Sequence, residues 1–457
     1  MKQYEAYTDS GIQWLGKIPS HWDITPLKFN LSLKGRIGWN GLKSDEFKED
    51  SYAYLVTGQD FIGKDIDWSA CYQIDRERYE EDPFIQLANG DLLVTKDGTI
   101  GKIARVRNLD KPACLNSGIF VVKQVTGIYN QDFLYWTLFS SQLSEFNSYM
   151  STGSTIQHLY QNVFENMPLV VPPLAEQEVI AAYLDQKVGK IDAILSEKEA
   201  MVEQLQQYRK SLISETVTRG LDPNVPMKDS GIDWIGQIPQ HWITCRIKHV
   251  LEHSKDCLRV GPFGSSLSGN DFTDKGFWVY NQRTVLDNNF SDNDSFVSEE
   301  KFNELSNFRV SEGDFLITTR GTIGKVAIVP KGFSEGVLHP CIIRFRVDEE
   351  RINKDFLKYI FNDTDLIATQ VKYNSNSTTI DVIYSYTLKE LQFALPPIQE
   401  QTCIVDFLKG RISQIDNTIS ELQSQIEDFK AYKSSVITEA VTGKVDLRDW
   451  KPSEVTA

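Results

Sequence analysis

Short apolar runs and long helical stripes alternate twice along this chain. Runs such as Asp91–Thr95, Ile119–Val125, Phe315–Thr318 and Cys341–Val347 are punctuated by Gly, Asn and Asp. They predict strands and turns of mixed α/β or α+β globular regions. Each mixed region gives way to a stretch with apolar residues at alternating three and four spacing. The first runs Val188, Ile191, Leu195, Lys198, Val202, Leu205, Arg209, Leu212, and the second Ile412, Ile415, Ile419, Leu422, Ile426, Phe429, Lys433, Val436. Both follow a Pro-Pro pair, which starts a helix but cannot continue one. The acidic first turns (Glu176 and Glu178; Glu400) suit the positive end of a helix dipole. No Pro or Gly interrupts after Gly189 and Gly410, so the pattern predicts two coiled-coil helices of about four heptads each.

The alternation has a simple origin: the chain is written twice. Asp9-Ser-Gly-Ile-Gln-Trp14-Leu-Gly-Lys-Ile-Pro-Ser-His21-Trp22 recurs as Asp229-Ser-Gly-Ile-Asp-Trp234-Ile-Gly-Gln-Ile-Pro-Gln-His241-Trp242, an offset of 220. Gly90-Asp91-Leu-Leu-Val-Thr95-Lys96-Asp97-Gly98-Thr-Ile-Gly101-Lys102 recurs as Gly313-Asp314-Phe-Leu-Ile-Thr318-Thr319-Arg320-Gly321-Thr-Ile-Gly324-Lys325, an offset of 223. Pro172-Pro-Leu-Ala-Glu176-Gln177 recurs as Pro396-Pro-Ile-Gln-Glu400-Gln401, an offset of 224. Near-constant spacing over three blocks marks a tandem duplication. Between the blocks the halves diverge, as residues 30–85 and their counterparts after 250 show. A common frame carries two different inserts.

This organisation divides the chain into residues 1–171, an opening segment with a globular domain; 172–220, a central helical spacer; 221–395, a second globular domain; and 396–457, a C-terminal helical spacer and tail. If a pseudo-twofold relates the halves, the second helix returns towards the first domain and the two helices are antiparallel. The 31 residues from Val188 to Thr218 then span roughly 46 Å at 1.5 Å per residue. That matches about 14 base pairs of duplex, a separation suited to two sites in neighbouring major grooves.

Composition supports packed domains, with 41% hydrophobic and 11% aromatic residues in 457. No apolar run approaches the roughly 18–20 residues of a membrane span, and the opening MKQYEAYTDSG lacks a secretory apolar core. Cys71, Cys114, Cys245, Cys257, Cys341 and Cys403 are scattered without a CxxC pair, which fits reduced thiols and the cytoplasm. The net charge of −15 argues against nucleic acid unless basic side chains converge on one face.

Catalytic signatures are missing. The Pro-Pro pairs of Val171-Pro-Pro-Leu and Leu395-Pro-Pro-Ile lack the Asn/Asp and aromatic residue with which an adenine methyltransferase holds its target amine. Gly98-Thr-Ile-Gly101-Lys102 is too short for a phosphate loop and has Ile103 where the hydroxyl belongs. His249, His253 and Cys257 stand at i, i+4 and i+8, a spacing that could align metal ligands on a helix. Gly261 and Pro262 follow closely, the first half has no equivalent, and no fourth ligand is evident. We expect neither a metal nor a catalytic site.

Taken in order, the DSGIxWxGxIPxHW opening, the GDxLxTxxGTIGK block and the PPxxEQ helix start resemble the repeated frame of the specificity subunits of type I restriction–modification systems. Ser214-Glu-Thr-Val-Thr-Arg-Gly220 with Leu221-Asp222-Pro223, and Thr438-Glu-Ala-Val-Thr-Gly443, complete the likeness. The resemblance covers essentially the whole chain. It implies an α+β, pseudo-twofold tandem repeat in which a pair of long antiparallel coiled-coil helices separates two target-recognition domains. It also implies a non-catalytic DNA-reading subunit that takes a bipartite asymmetric site to two methyltransferase subunits and to restriction (translocase/endonuclease) subunits. Those partners would use S-adenosylmethionine, ATP and Mg, and this chain would bind no cofactor. One departure stands out. Thr152–Leu159 has the usual approach to the helical region, whereas the second half reads Ser377-Thr-Thr-Ile-Asp-Val382.

Candidate DNA contacts are the basic and polar side chains of the divergent inserts, since Arg grips guanine and Gln or Asn grips adenine by paired hydrogen bonds. They are Lys34, Arg36, Lys43, Gln59, Arg76 and Lys96 in the first half, and Arg259, Ser265, Ser266, Gln282, Arg283 and Arg320 in the second. Gly38-Trp-Asn-Gly41 and Gly261-Pro-Phe-Gly264 would let backbone approach phosphates. Lys102 and Lys325, common to both halves, suit a phosphate contact or support of the turn. Trp14, Trp22, Trp234 and Trp242 read as anchors pinning each opening segment against helices. A coiled-coil protein-interaction scaffold that never touches DNA is the rival reading.

Overall fold

The computed structural model describes residues 2–36, 42–150, 159–263, 266–374 and 382–452. The chain forms two compact units, one of residues 1–199 with 423–457 and the other of 200–422. Each helical segment contributes one stretch to either unit. The first long helix runs Leu174–Arg219 and the second Ile398–Val441.

The centre of the first unit is a six-stranded sheet, of which Leu31–Gly35, Ile119–Gln124, Leu92–Thr95 and Ile103–Arg105 are neighbours in antiparallel order. The apolar runs of Leu92–Thr95 and Ile119–Gln124 are continuous because both faces are covered, as in strands buried on two sides. Leu92, Val94, Ile103, Phe120 and Val122 point to a core built with helices Gln131–Phe139 and Ser141–Met150. Leu93, Ala104, Ile119 and Val121 point the other way, to a core beneath a smaller sheet of Ala113–Leu115, Ala53–Val56 and Tyr72–Ile74.

The second unit repeats the scheme. Leu258–Val260, Ile342–Phe345, Phe315–Thr318 and Val326–Ile328 stand in the same order. Phe315, Ile317, Val326, Ile343 and Phe345 face helix Lys354–Asn362, while Leu316, Ala327 and Ile342 face a second sheet. In that sheet Phe277–Tyr280 runs parallel to Gly336–Leu338, as Ala53–Val56 runs parallel to Ala113–Leu115 in the first unit.

Each unit also holds stretches of both long helices, packed antiparallel. In the first unit Lys433 Nζ meets Asp192 at 2.6 Å and Lys198 Nζ meets Gln425 at 2.6 Å, so one helix ascends as the other descends. Val188, Ile191, Ile426 and Val436 are buried along the seam. In the second unit Arg209 Nε meets Asp416 at 3.0 Å, and Ile213 and Val217 share a core with Ile404, Leu408 and Ile412. The polar interruptions of the heptad pattern are thus the residues that pair between helices. Among the described residues no helix is long and apolar enough to cross a membrane.

Candidate nucleic-acid interface

The repeated motifs are first of all a frame, and most of its hydrogen bonds recur in both copies. Gln177 is fully buried; its Nε2 donates to the carbonyls of Ile128 (2.9 Å) and Pro172 (2.8 Å), and its Oε1 accepts from Asn130 N (2.7 Å). Gln401 does the same with Arg351, Pro396 and Asn353. Asn130 and Asn353 in turn cap the helices packed on the sheet. Glu176 accepts from Trp22 Nε1 at 3.1 Å and pairs with His21 Nε2 at 2.7 Å, and Glu400 pairs with His241 at 2.8 Å. Trp14 packs on Phe146 and Tyr149 of one helix, and Trp234 on Tyr373 of another. The tryptophans are helix anchors, as their place in the repeat predicts.

The Gly-Asp pair of the second motif braces the turn before a central strand. Asp91 Oδ2 accepts from Ala88 N at 2.8 Å, and Asp314 Oδ2 from Ser311 N at 2.8 Å. Burial pushes the Asp91 carboxyl above its usual range, with Lys123 at 3.4 Å in partial compensation. At the strand's far end Thr95 N donates to Lys102 O, Gly101 N to Thr95 O, and Lys102 N to Thr95 Oγ1. Thr318, Gly324 and Lys325 repeat all three bonds. Gly98 (φ 68°), Gly101 (80°), Gly321 (66°) and Gly324 (76°) adopt the left-handed conformation that these tight tips require.

Two further pieces converge on each tip. The loop leaving the parallel strand of the smaller sheet comes against it. A Cβ on Gly58 would lie 3.0 Å from Thr95 Cγ2, and one on Gly321 would lie 3.3 Å from Gln282 Nε2. The chain then binds the tip again further on, where Leu159 N donates to Lys96 O and Ile383 N to Thr319 O. The next residues, Tyr160 and Tyr384, are exposed in both units, and Tyr384 stacks on exposed Tyr386 at 5.4 Å. Tip, loop and tyrosine form one polar and aromatic edge per unit.

The structure sorts the predicted readers against this edge. Lys96 and Lys102 belong to the first tip, Arg320 and Lys325 to the second; Gln59 lies in the loop beside the first, and Gln282 opens the short helix Gln282–Leu286 beside the second. Lys102 is exposed, but Lys325 is half-buried, its Nζ 2.5 Å from the Asn362 carbonyl, and so supports the turn. Lys96 lies over the Phe120 ring at 4.9 Å. Arg283 is exposed beside Gln282 and bonds Asp294 at 3.2 Å. Among the described residues no hydrogen bond or ion pair ties Lys43, Gln59 or Arg76 to the tip. Lys43 N donates to Glu46, Arg76 pairs with Glu80 at 2.7 Å, and Lys34 sits over Phe84. Arg259 pairs with Asp256 at 2.8 Å and Ser266 N donates to Phe263 O. Ser265, Gly38–Gly41, Gly264, Thr152–His158 and Ser377–Asp381 lie outside the described residues.

Arg36 is a correction. It is 2% exposed, with Nε donating to the Leu115 carbonyl at 3.0 Å and Nη2 to Cys114 Sγ at 3.4 Å. A guanidinium spent on a buried strand end supports the domain core and is not on a readable surface. The His249, His253, Cys257 spacing falls on no single helix, since His249 closes a short 3₁₀ turn and Cys257 directly precedes a strand. The sequence reading also passed over Asp97, Tyr160 and Tyr384. The aligned blocks already set Asp97 against Arg320.

Comparison with known proteins agrees with this architecture. The family model of the type I restriction modification DNA specificity domain matches residues 43–204 and again 259–428. The chain belongs to this family. It is 23% identical to the type I restriction enzyme MjaVIII specificity subunit of Methanocaldococcus jannaschii, over 95% of each chain. It is also 23% identical to the EcoBI specificity subunit of Escherichia coli, over 79% of this chain and 74% of that one. In fold it resembles a chain from a structural study of complex assembly in a type I R-M system, with a TM-score of 0.69 at 13% identity over 94% of this chain and 99% of that one. It likewise resembles the HsdS subunit of Thermoanaerobacter tengcongensis, with a TM-score of 0.53 at 14% identity over 96% and 100%.

Proposed function

We propose that this chain is the non-catalytic DNA-reading subunit of a type I restriction–modification complex and that each unit reads one half of a split, asymmetric site. The observation that carries the reading is the pair of edges: one frame, with the same tip hydrogen bonds around Thr95 and Thr318, presenting different side chains in its two copies. Two such edges suit two different half-sites. The partners are double-stranded DNA, two methyltransferase subunits and restriction (translocase/endonuclease) subunits, acting in the cytoplasm. S-adenosylmethionine, ATP and Mg serve those partners, not this chain. Phosphate contacts release counterions, so DNA binding by the assembled complex weakens steeply with salt.

The test is methylome sequencing of a host expressing the chain with its neighbouring methyltransferase, against the same host without the chain. A split motif methylated on both strands only when the chain is present is the expected result. An active, soluble methyltransferase complex that yields no new motif overturns the reading in favour of a protein scaffold.

A further inference from the structure

The two tips differ at one outward position, and the difference is a reversal of charge. Gly-Thr-Ile-Gly-Lys is common to both, leaving Lys96-Asp97 against Thr319-Arg320. The first of each pair belongs to the frame. Lys96 N donates to Gly118 O at 2.9 Å and Thr319 N to Cys341 O at 3.2 Å, tying both to equivalent strand ends. The second residue of each pair is exposed. Arg320 makes no hydrogen bond or ion pair among the described residues.

Such a position is poorly explained by the DNA backbone. Phosphates are alike in both half-sites and would repel a carboxylate where they attract a guanidinium. Base edges do differ, and they demand this kind of substitution. Guanine offers two acceptors, which an Arg fork engages together, whereas cytosine offers an amine donor, which a carboxylate accepts. The rigid backbone beneath each side chain, fixed by the Thr95 and Thr318 bonds, holds a short reader in register.

We propose that positions 97 and 320 are paired base-reading positions, Asp97 accepting from a cytosine amine in one half-site and Arg320 gripping a guanine in the other. This rests on the DNA-reading function above and names where that reading happens. It is tested on the assembled complex with its methyltransferase. The probes are duplexes carrying the motif that the complex methylates, each altered at one specified base pair. Arg320→Gln and the charge-conserving Arg320→Lys should each lose on the order of tenfold or more of the discrimination at one G·C pair, leaving the other half-site unchanged. Asp97→Asn should do the same at one pair of the opposite half-site. Arg320→Lys and Asp97→Glu guard against misfolding of the bolder variants. Uniform weakening over all duplexes, or selectivity unchanged at every position, overturns the assignment. So does loss of methyltransferase binding with DNA selectivity intact. Wild-type complex binding all duplexes alike would instead sink the DNA-reading function itself.

Discussion

The start of each long helix meets the same His-Trp pair in the two units, yet the two junctions are not equally complete. In the first unit Glu176 receives Trp22 Nε1, His21 and the Tyr4 hydroxyl (3.0 Å), and Arg448 lies over the Tyr4 ring at 5.1 Å. In the second, among the described residues, Glu400 holds His241 alone and the buried Trp242 Nε1 has no partner. Asn224 stands where the 220 offset would place the counterpart of Tyr4. The duplication kept the frame that positions each helix and let the surrounding support drift. The first junction is knit from three separate parts of the sequence, the second from two.

The helix ends sharpen this contrast most strongly. Gly443 (φ 71°) and Gly220 (φ 80°) close equivalent turns. A Cβ at Gly443 would sit 2.4 Å from Pro19 Cδ, but at Gly220 the nearest atom is Trp242 Cζ2 at 3.2 Å. Gly443→Ala should destabilise the first unit by roughly 2–4 kcal/mol and Gly220→Ala the second by roughly 1–2 kcal/mol. Hydrogen exchange of peptides from each unit reads the two separately, and equal losses would break the comparison. Next, Trp22→Phe forfeits a hydrogen bond to a carboxylate whereas Trp242→Phe removes an unpaired donor. The cavity cost is shared, so Trp22→Phe should be the costlier change by roughly 1–2 kcal/mol.

Asp446 makes a third contrast. Its carboxylate accepts from Arg448 Nε (3.0 Å) and Nη2 (2.9 Å), which holds it below the usual carboxylate range, while Pro223, with no carboxylate, stands at the matching place. A lowered folded value means stability present at neutral pH and lost as pH falls below about 4. Asp446→Asn should cost about 1 kcal/mol at pH 7, and the gap to wild type should close in acid denaturation profiles. Smallest of all, Arg209→Met should cost slightly more than Lys433→Met, each about 0.5 kcal/mol and shrinking with salt. Arg209 bridges both Asp363 and Asp416 at 3.0 Å, and Lys433 pairs with Asp192.

Much of this was legible in the chain because repetition and periodicity are local signals. Three motif blocks announced the duplication, and the heptad stripes announced helices whose seam residues Val188, Ile191, Ile412 and Ile426 are buried. The site was harder to read. Arg36 looked like a surface cation because nothing in its neighbours reveals that Cys114 and Leu115 close over it. Gln177 and Gln401, which clamp the caps of distant helices, carry no spacing rule of their own. The edge itself joins a hairpin tip, a loop some forty residues earlier and a tyrosine some sixty later, a convergence created only by the sheet.

The first unit's division into residues 1–199 and 423–457 has a consequence for how the protein is made. Asp446 N bonds the Lys2 carbonyl, Tyr7 bonds that of Gly443, and Lys444 Nζ donates to the Leu15 and Lys17 carbonyls. At roughly 5–20 residues per second on the ribosome, residues 200–422 emerge and can close upon themselves before these last contacts exist. The unit begun first is therefore finished last. Until then the half-seam of Val188, Ile191 and Leu195 waits uncovered, a stretch of the nascent chain suited to protection by a chaperone.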